Sequence, residues 1–308
     1  MKLIYMTHPL FLKHDMGTLH PECPERLRSI NDSVLKIANA EGITIDNNPP
    51  KAKTEHVLLA HDNNYLEFLK SRAPKTNLEM IDSDTAMNPY TLDASYHCAG
   101  ASITALDLIE SNSANKIFCA LRPPGHHASR NCASGFCFFN NIAIAALYAI
   151  EKLNFKRVAI IDFDVHHGNG TESIIANHPN ITMLSTFEYP LYPFCGVQPL
   201  GKNMVNVPLS QFSTFKDIKN AVETKWDPEI EKYSPDLILV SAGYDAHQDD
   251  NISTSCWQDS DYHWLSQKIS GYSKKFCEGR IVVFLEGGYN VAALTRNVVG
   301  FIKVLNSN

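Results

Sequence analysis

The sequence predicts an α/β protein: a mainly parallel central β-sheet flanked by helices, with long loops at the C-terminal ends of its strands. Two observations carry this. Short apolar runs rich in β-branched and aromatic residues recur along the chain with helical stretches between them. Each run also stops at glycine or polar residues, the pattern of parallel strands buried on both faces whose ends carry a site.

The first run is LIYM at 3–6, followed by an Arg-, Glu- and Leu-bearing segment around 24–41. The Pro- and Asn-bearing stretch at 46–54 is a loop, too short to mark a domain boundary. KIFCAL at 116–121 leads through a glycine-rich turn to NNIAIAALYAIEKL at 140–153. RVAIIDFDV at 157–165 is too short for a buried helix, and DLILVSAGY at 236–244 and RIVVFLEGGY at 280–289 repeat its form. Right-handed helical crossovers are expected to link such strands. The segment 171–210 has little periodicity and is expected to be mostly loops and short strands. Without repeats, low-complexity runs or a linker, one α/β domain is expected over 1–308.

The 308 residues are 44% hydrophobic, enough to bury a large core. A formal charge of -6 offers no electrostatic footprint for nucleic acid or an anionic membrane. Eight cysteines are spread widely, and only Cys132 and Cys137 lie close together, without a CxxC spacing. They read as free thiols of a reducing compartment. The opening MKLIYMTHPLF reaches His14 and Asp15 without a long apolar region, and no run is long enough to cross a bilayer. A soluble, cytoplasmic protein is expected.

IIDFDVHHGNG at 160–170 sets Asp162, Asp164 and His166 at alternate positions leaving a strand. In extended geometry these side chains share one side, so Asp164 and His166 can converge on one cation. A second strand brings Asp245 to its C-terminal end as a third ligand. Two carboxylates and an imidazole leave a coordination position open, as a catalytic zinc requires. The same pattern also serves magnesium binding or helix capping, and oxygen-rich ligation accepts iron, cobalt or manganese. His167 points the other way and reads as a structural, hydrogen-bonded imidazole.

LRPPGHHASRNCASGFCFFNN at 121–141 forces a turn directly before His126 and His127. Adjacent imidazoles in a constrained loop suit proton transfer to and from a metal-activated water, titrating as a coupled pair. Asp162 is a candidate orienter for one of them. In EGGY at 286–289, Gly287 and Gly288 allow a close approach and present Tyr289 as an oxyanion donor. Taken alone, GGY fits a structural turn with a packed tyrosine better.

HPECPERL at 20–27, RPPGHHA at 122–128, GFCFFNN at 135–141, DFDVHHGNGT at 162–171, SAGYDAH at 241–247 and EGGYN at 286–290 occur in this order. Together they closely resemble the zinc-dependent histone deacetylase family, including its class II-like, bacterial deacetylase-like and acetylpolyamine amidohydrolase members. The resemblance covers nearly the whole chain and implies an arginase/deacetylase-like fold. Carried residue by residue, it implies Zn2+ on Asp164, His166 and Asp245. His127 is then the general base, His126 the partner held by Asp162, and Tyr289 the oxyanion donor. A monovalent-cation site, usually K+, falls on Asp162, Asp164, His166 and Ser185 with backbone carbonyls. Gly135, Phe136 and Tyr192, with Gly287 and Gly288, correspond to a narrow substrate tunnel.

The implied reaction is removal of an acetyl or related acyl group from an N-acylated primary amine. Acyl-lysine in a peptide or protein is the leading substrate. The alternatives are a small acylated polyamine or, without catalysis, acyl-lysine binding. Asn169 follows the class II and bacterial pattern and leaves His127 a neutral partner. Departures fall at 185–196, STFEYPLYPFCG, and at 249–257, DDNISTSCW, where Ile252 takes the place of the polyamine-selective members' gatekeeping glutamate. Glu22 is expected near the rim as a substitute carboxylate. The sequence leaves the oligomeric state open, a homo-oligomer included.

Overall fold

A computed structural model describes residues 3–307. In chain order the elements are β1 (Leu3–Met6), α1 (Pro24–Glu41), β2 (Thr44–Asp46), α2 (Thr54–Val57), α3 (Asn63–Arg72), β3 (Glu79–Met80), β4 (Ala86–Met87), α4 (Thr91–Glu110) and β5 (Lys116–Cys119). They continue with α5 (Asn141–Glu151), β6 (Val158–Asp162), α6 (Asn169–Ile175), β7 (Ile181–Glu188), β8 (Met204–Leu209), α7 (Phe215–Ala221) and α8 (Asp227–Tyr233). The last are β9 (Leu237–Ala242), α9 (Asp259–Cys277), β10 (Ile281–Leu285) and α10 (Val291–Ser307).

Eight strands form one sheet in the order β2-β1-β5-β10-β9-β6-β7-β8, and every pairing in it is parallel. β3 and β4 form a separate antiparallel ribbon. β5, β6, β9 and β10 are buried at every residue, which is why their sequences are continuous apolar runs instead of alternating ones. Helices α4 and α5 pack together, while α10 packs on α1 and α9. α5 is alanine-rich and apolar nearly all round, with the Asn140 side chain accepting from the Ala143 amide at 2.9 Å as its N-cap. α1 opens on Pro24 and ends at Gly42, whose φ of 67° is the left-handed C-cap conformation.

The strand order decides where a site can form. The chain runs outward from β5 to β6, β7 and β8, then returns to insert β9 and β10 between β5 and β6. The loops leaving these four central strands therefore splay apart at their C-terminal ends and leave a crevice. One expectation fails here. The segment 171–210 contains β7, eight residues long and buried throughout. Thr182, Ser185 and Thr186 are buried within it, and these polar residues hide the strand's apolar character in the sequence.

Candidate metal centre and pocket

β6 ends at Asp162, and the next four residues leave the sheet as a chain of turns. The Asp164 amide donates to Asp162 Oδ1 at 3.1 Å, and the His166 amide to Asp164 Oδ1 at 2.9 Å. Each carboxylate thus organises the residue two places on. The alternation expected of an extended strand is produced by these turns, while Phe163 and Val165 are buried between the polar positions. Asp245 leaves β9 and meets this segment from the side, accepting from the Val165 amide at 3.0 Å.

Asp164, His166 and Asp245 each turn one ligand atom to a common point, all within 4.8 Å of one another, and all three residues are buried. His166 Nδ1 lies 3.0 Å from Asp164 Oδ1 and 3.3 Å from Asp245 Oδ2. Burial works against a charged ring, but the two carboxylates outweigh it and push His166 up to about 10. Asp245 Oδ2 is buried without a well-formed hydrogen bond. Surplus negative charge, an unsatisfied carboxylate oxygen and a mixed O/N donor set fit a divalent cation, with zinc among those the set accepts. Two glycines make the space: a Cβ on Gly243 would stand 2.1 Å from Asp164 Oδ2, and one on Gly287 2.1 Å from Asp245 Oδ2. The Gly287 amide also donates to Asp164 Oδ2 at 2.8 Å.

The tandem histidines arrive on the loop after β5, their ring centroids 4.0 Å apart. His126 Nδ1 lies 3.2 Å from Asp162 Oδ2, and its Nε2 3.9 Å from Asp164 Oδ1. Burial opposes its charge, yet Asp164, Asp162 and Glu286 together push it up to about 10. His127 behaves oppositely. Burial, then the charges of His126 and His166, hold it well below the ordinary imidazole range, and only Asn169 Oδ1 at 2.7 Å faces its Nδ1. With Nδ1 donating to Asn169, the neutral ring keeps its lone pair on Nε2. Sequence reasoning had no role for Glu286, yet its Oε2 accepts from the amides of Gly125 and His126 at 2.7 and 3.2 Å. Its place in the EGGY block was the available signal.

A cavity of about 220 Å³ opens over this centre, lined by His127, Gly135, Phe136, His166, Leu191, Tyr192, Ile252, Tyr289 and Asp84. Phe136 meets Tyr289 edge to face at 5.9 Å, and Tyr192 meets His127 at 5.1 Å. Gly135 and Phe136 both hold left-handed φ values, 52° and 69°. A Cβ on Gly135 would come within 2.4 Å of the His127 ring. Of the EGGY loop, Tyr289 reaches the cavity, whereas Gly287 backs the carboxylates and Gly288 takes the left-handed φ of 115° that turns the chain. Asp84 was not anticipated, because its short segment between β3 and β4 has no periodicity to place it.

Glu22 requires correction. It is 0% exposed and belongs to no rim. Arg122 clasps its carboxylate through Nε and Nη2, Arg26 Nη1 lies at 3.0 Å and His14 Nε2 at 3.3 Å. A buried carboxylate needs this compensation, and the Glu22–Arg26 spacing across the start of α1 was its visible sign. Arg26 then donates to the carbonyls of Gly288 and Glu286, both at 2.6 Å, with its guanidinium 4.9 Å from the centre of the Tyr289 ring. His167 sits with Nε2 2.7 Å from Glu172 Oε2, as a structural imidazole should. Ser185 Oγ is buried and has no hydrogen-bond partner among the described residues.

This sheet, with two carboxylates, an imidazole and a tandem histidine pair at its C-terminal edge, defines an α/β protein with a cluster that could hold a metal ion. The comparisons make it specific. A family model described as "Histone deacetylase domain" matches residues 20–305. A probable deacetylase of Archaeoglobus fulgidus is 33% identical over 97% of this chain and 84% of its own length. Histone deacetylase 14, chloroplastic, of Arabidopsis thaliana is 35% identical over 93% and 73%. The crystal structure of the HDA15 HD domain superposes with a TM-score of 0.92 at 29% identity, covering 100% of this chain and 88% of that one. The chain belongs to the histone deacetylase family, whose chemistry is hydrolysis of acetylated amides. None of its described helices is long and apolar enough to cross a membrane.

Proposed function

We propose that residues 1–308 form one catalytic domain, a zinc-dependent hydrolase that removes acetyl or related acyl groups from acyl-lysine. The observation that carries the reading is the placement of a neutral-prone His127 between the Asp164–His166–Asp245 cluster and an aromatic pocket fitted with Tyr289. A zinc ion, when bound, supplies Lewis acidity to the acyl carbonyl and acidifies a water.

The residues do the rest. His127 Nε2 takes the proton of the attacking water and returns it to the departing amine nitrogen. His126, kept charged by Asp162, Asp164 and Glu286, offsets negative charge as it builds. Burial raises Tyr289 well above the usual phenol value, so it stays protonated and donates to the carbonyl oxygen. Phe136, Tyr192, Leu191 and Ile252 strip water from an aliphatic side chain. A potassium ion near Ser185, Asp162, Asp164 and His166 belongs to the same proposal, supported by the unpartnered Ser185 hydroxyl. A reducing, cytoplasmic setting accords with the eight free cysteines.

Asp84 favours a second reading. Its carboxylate on the cavity wall would meet the distal ammonium of an acylated polyamine, which the apolar Ile252 would not. The test is kcat/KM on the zinc-loaded enzyme for acetyl-lysine peptides, longer-acyl lysines and acetylpolyamines. Preference for peptides supports the first reading, and preference for polyamines the second. Hydrolysis of none of them at full zinc occupancy would falsify both.

A further inference from the structure

The two segments that depart from the family pattern touch each other. Glu188, at the end of β7, is buried and, among the described residues, has no cationic partner. Its carboxylate instead accepts from Thr254 Oγ1 and Ser255 Oγ, both at 2.8 Å, and from the Thr254 amide at 3.1 Å. Ser253 Oγ donates to the carbonyl of Asp245 at 2.8 Å. Residues 250–255 are thus tied down across the centre, with Ile252 in the cavity wall.

Asp250 opens this strap and is 5% exposed. Its Oδ2 accepts from the amides of Tyr289 and Asn290 at 2.5 and 2.8 Å, and its Oδ1 from the Ile252 amide at 3.3 Å. Arg26 holds the carbonyls of the same EGGY loop from the other side. The main chain around Tyr289 is therefore gripped at the carbonyls of Glu286 and Gly288 by a cation and at the amides of Tyr289 and Asn290 by an anion. Charge-assisted bonds of this kind are the strong ones. The freedom that glycine gives positions 287 and 288 makes such a grip necessary.

We propose that Asp250 is a positioning residue that sets Tyr289 for the reaction, with Glu188 anchoring the strap that carries it. This rests on the reading of Tyr289 as the oxyanion donor. A phenol displaced by about 1 Å loses on the order of 100-fold in rate without losing substrate binding.

The test pairs kinetics with amide hydrogen exchange. In Asp250→Ala, exchange across 286–291 should accelerate, and kcat should fall about 10- to 100-fold with KM nearly unchanged. Asp250→Asn retains an acceptor oxygen and should restore most of kcat. In a Tyr289→Phe background, Asp250→Ala should cost less than about twofold more, since the two residues act through one group. Unchanged exchange, or the full loss repeated without the phenol, overturns the proposal. A wild-type enzyme inactive on every acylated amine sinks the functional reading alone, because exchange still reports whether Asp250 holds the Tyr289 main chain.

Discussion

Nδ1 of His127 lies 2.7 Å from Oδ1 of Asn169, so the tandem histidine that lines the cavity is paired with a neutral group while its neighbour His126 faces a carboxylate. The asymmetry separates their protonation. Asn169→Asp would place a negative charge beside Nδ1 and raise His127. A base must be unprotonated to act, so the acid limb of kcat/KM should move to higher pH. pH profiles of both enzymes check this, and an unmoved acid limb would rule out His127 as the base.

Gly287 is predicted to control metal loading. An alanine there would drive its Cβ into Asp245 Oδ2 at 2.1 Å and Asp164 Oδ2 at 2.6 Å. Both belong to the proposed ligand set, so Gly287→Ala should lower zinc affinity at least about tenfold. Competition with a chelator measures it. Wild-type affinity in the variant would show that these oxygens do not hold the ion.

Glu22→Ala should act on stability and leave selectivity alone. Its carboxylate is held well below the usual range: burial opposes this, but Arg122 and His14 outweigh it. Removing it leaves two buried guanidiniums uncompensated, at a cost of about 3–5 kcal/mol. Urea unfolding should show the loss, while the ratio of kcat/KM for charged and uncharged substrates stays constant. A changed ratio would return Glu22 to the rim.

His61 should make the protein acid-sensitive. Its Nε2 accepts from the Asn140 amide at 2.9 Å, and burial lowers it from 6.5 to about 4. A depressed histidine binds protons in the unfolded chain first. Its contribution is therefore complete above pH 6.5 and is lost as pH falls towards about 4, amounting to about 3 kcal/mol. His14 and His127 are lowered in the same sense. In His61→Gln the slope of unfolding free energy against pH should be shallower across that window, and an identical slope would exclude the assignment.

Local sequence was enough for the central strands and for the polar residues that the fold gathers around the cluster and its cavity. Parallel strands buried on both faces must be continuously apolar, so the strands at 158–162, 237–242 and 281–285 stood out. Asp164, His166, His126 and His127 stood out as polar groups clustered at the ends of such runs, whereas Tyr289 was singled out only by the company of the other blocks. β7 escaped because its buried serine and threonines interrupt the apolar signal.

What only the tertiary structure decided was the partner of each buried charge and the backing of each reactive group. Glu22 finds Arg122 at a separation of 100 residues, and Arg26 finds Gly288 at 262. Gly243 owes its identity to Asp164, Glu286 to the histidine loop, and Asp250 to the amide of Tyr289. Periodicity and turn chemistry are written over a few neighbouring residues. A buried charge is neutralised by whatever the folded chain brings within about 3 Å, and that is set by strand order.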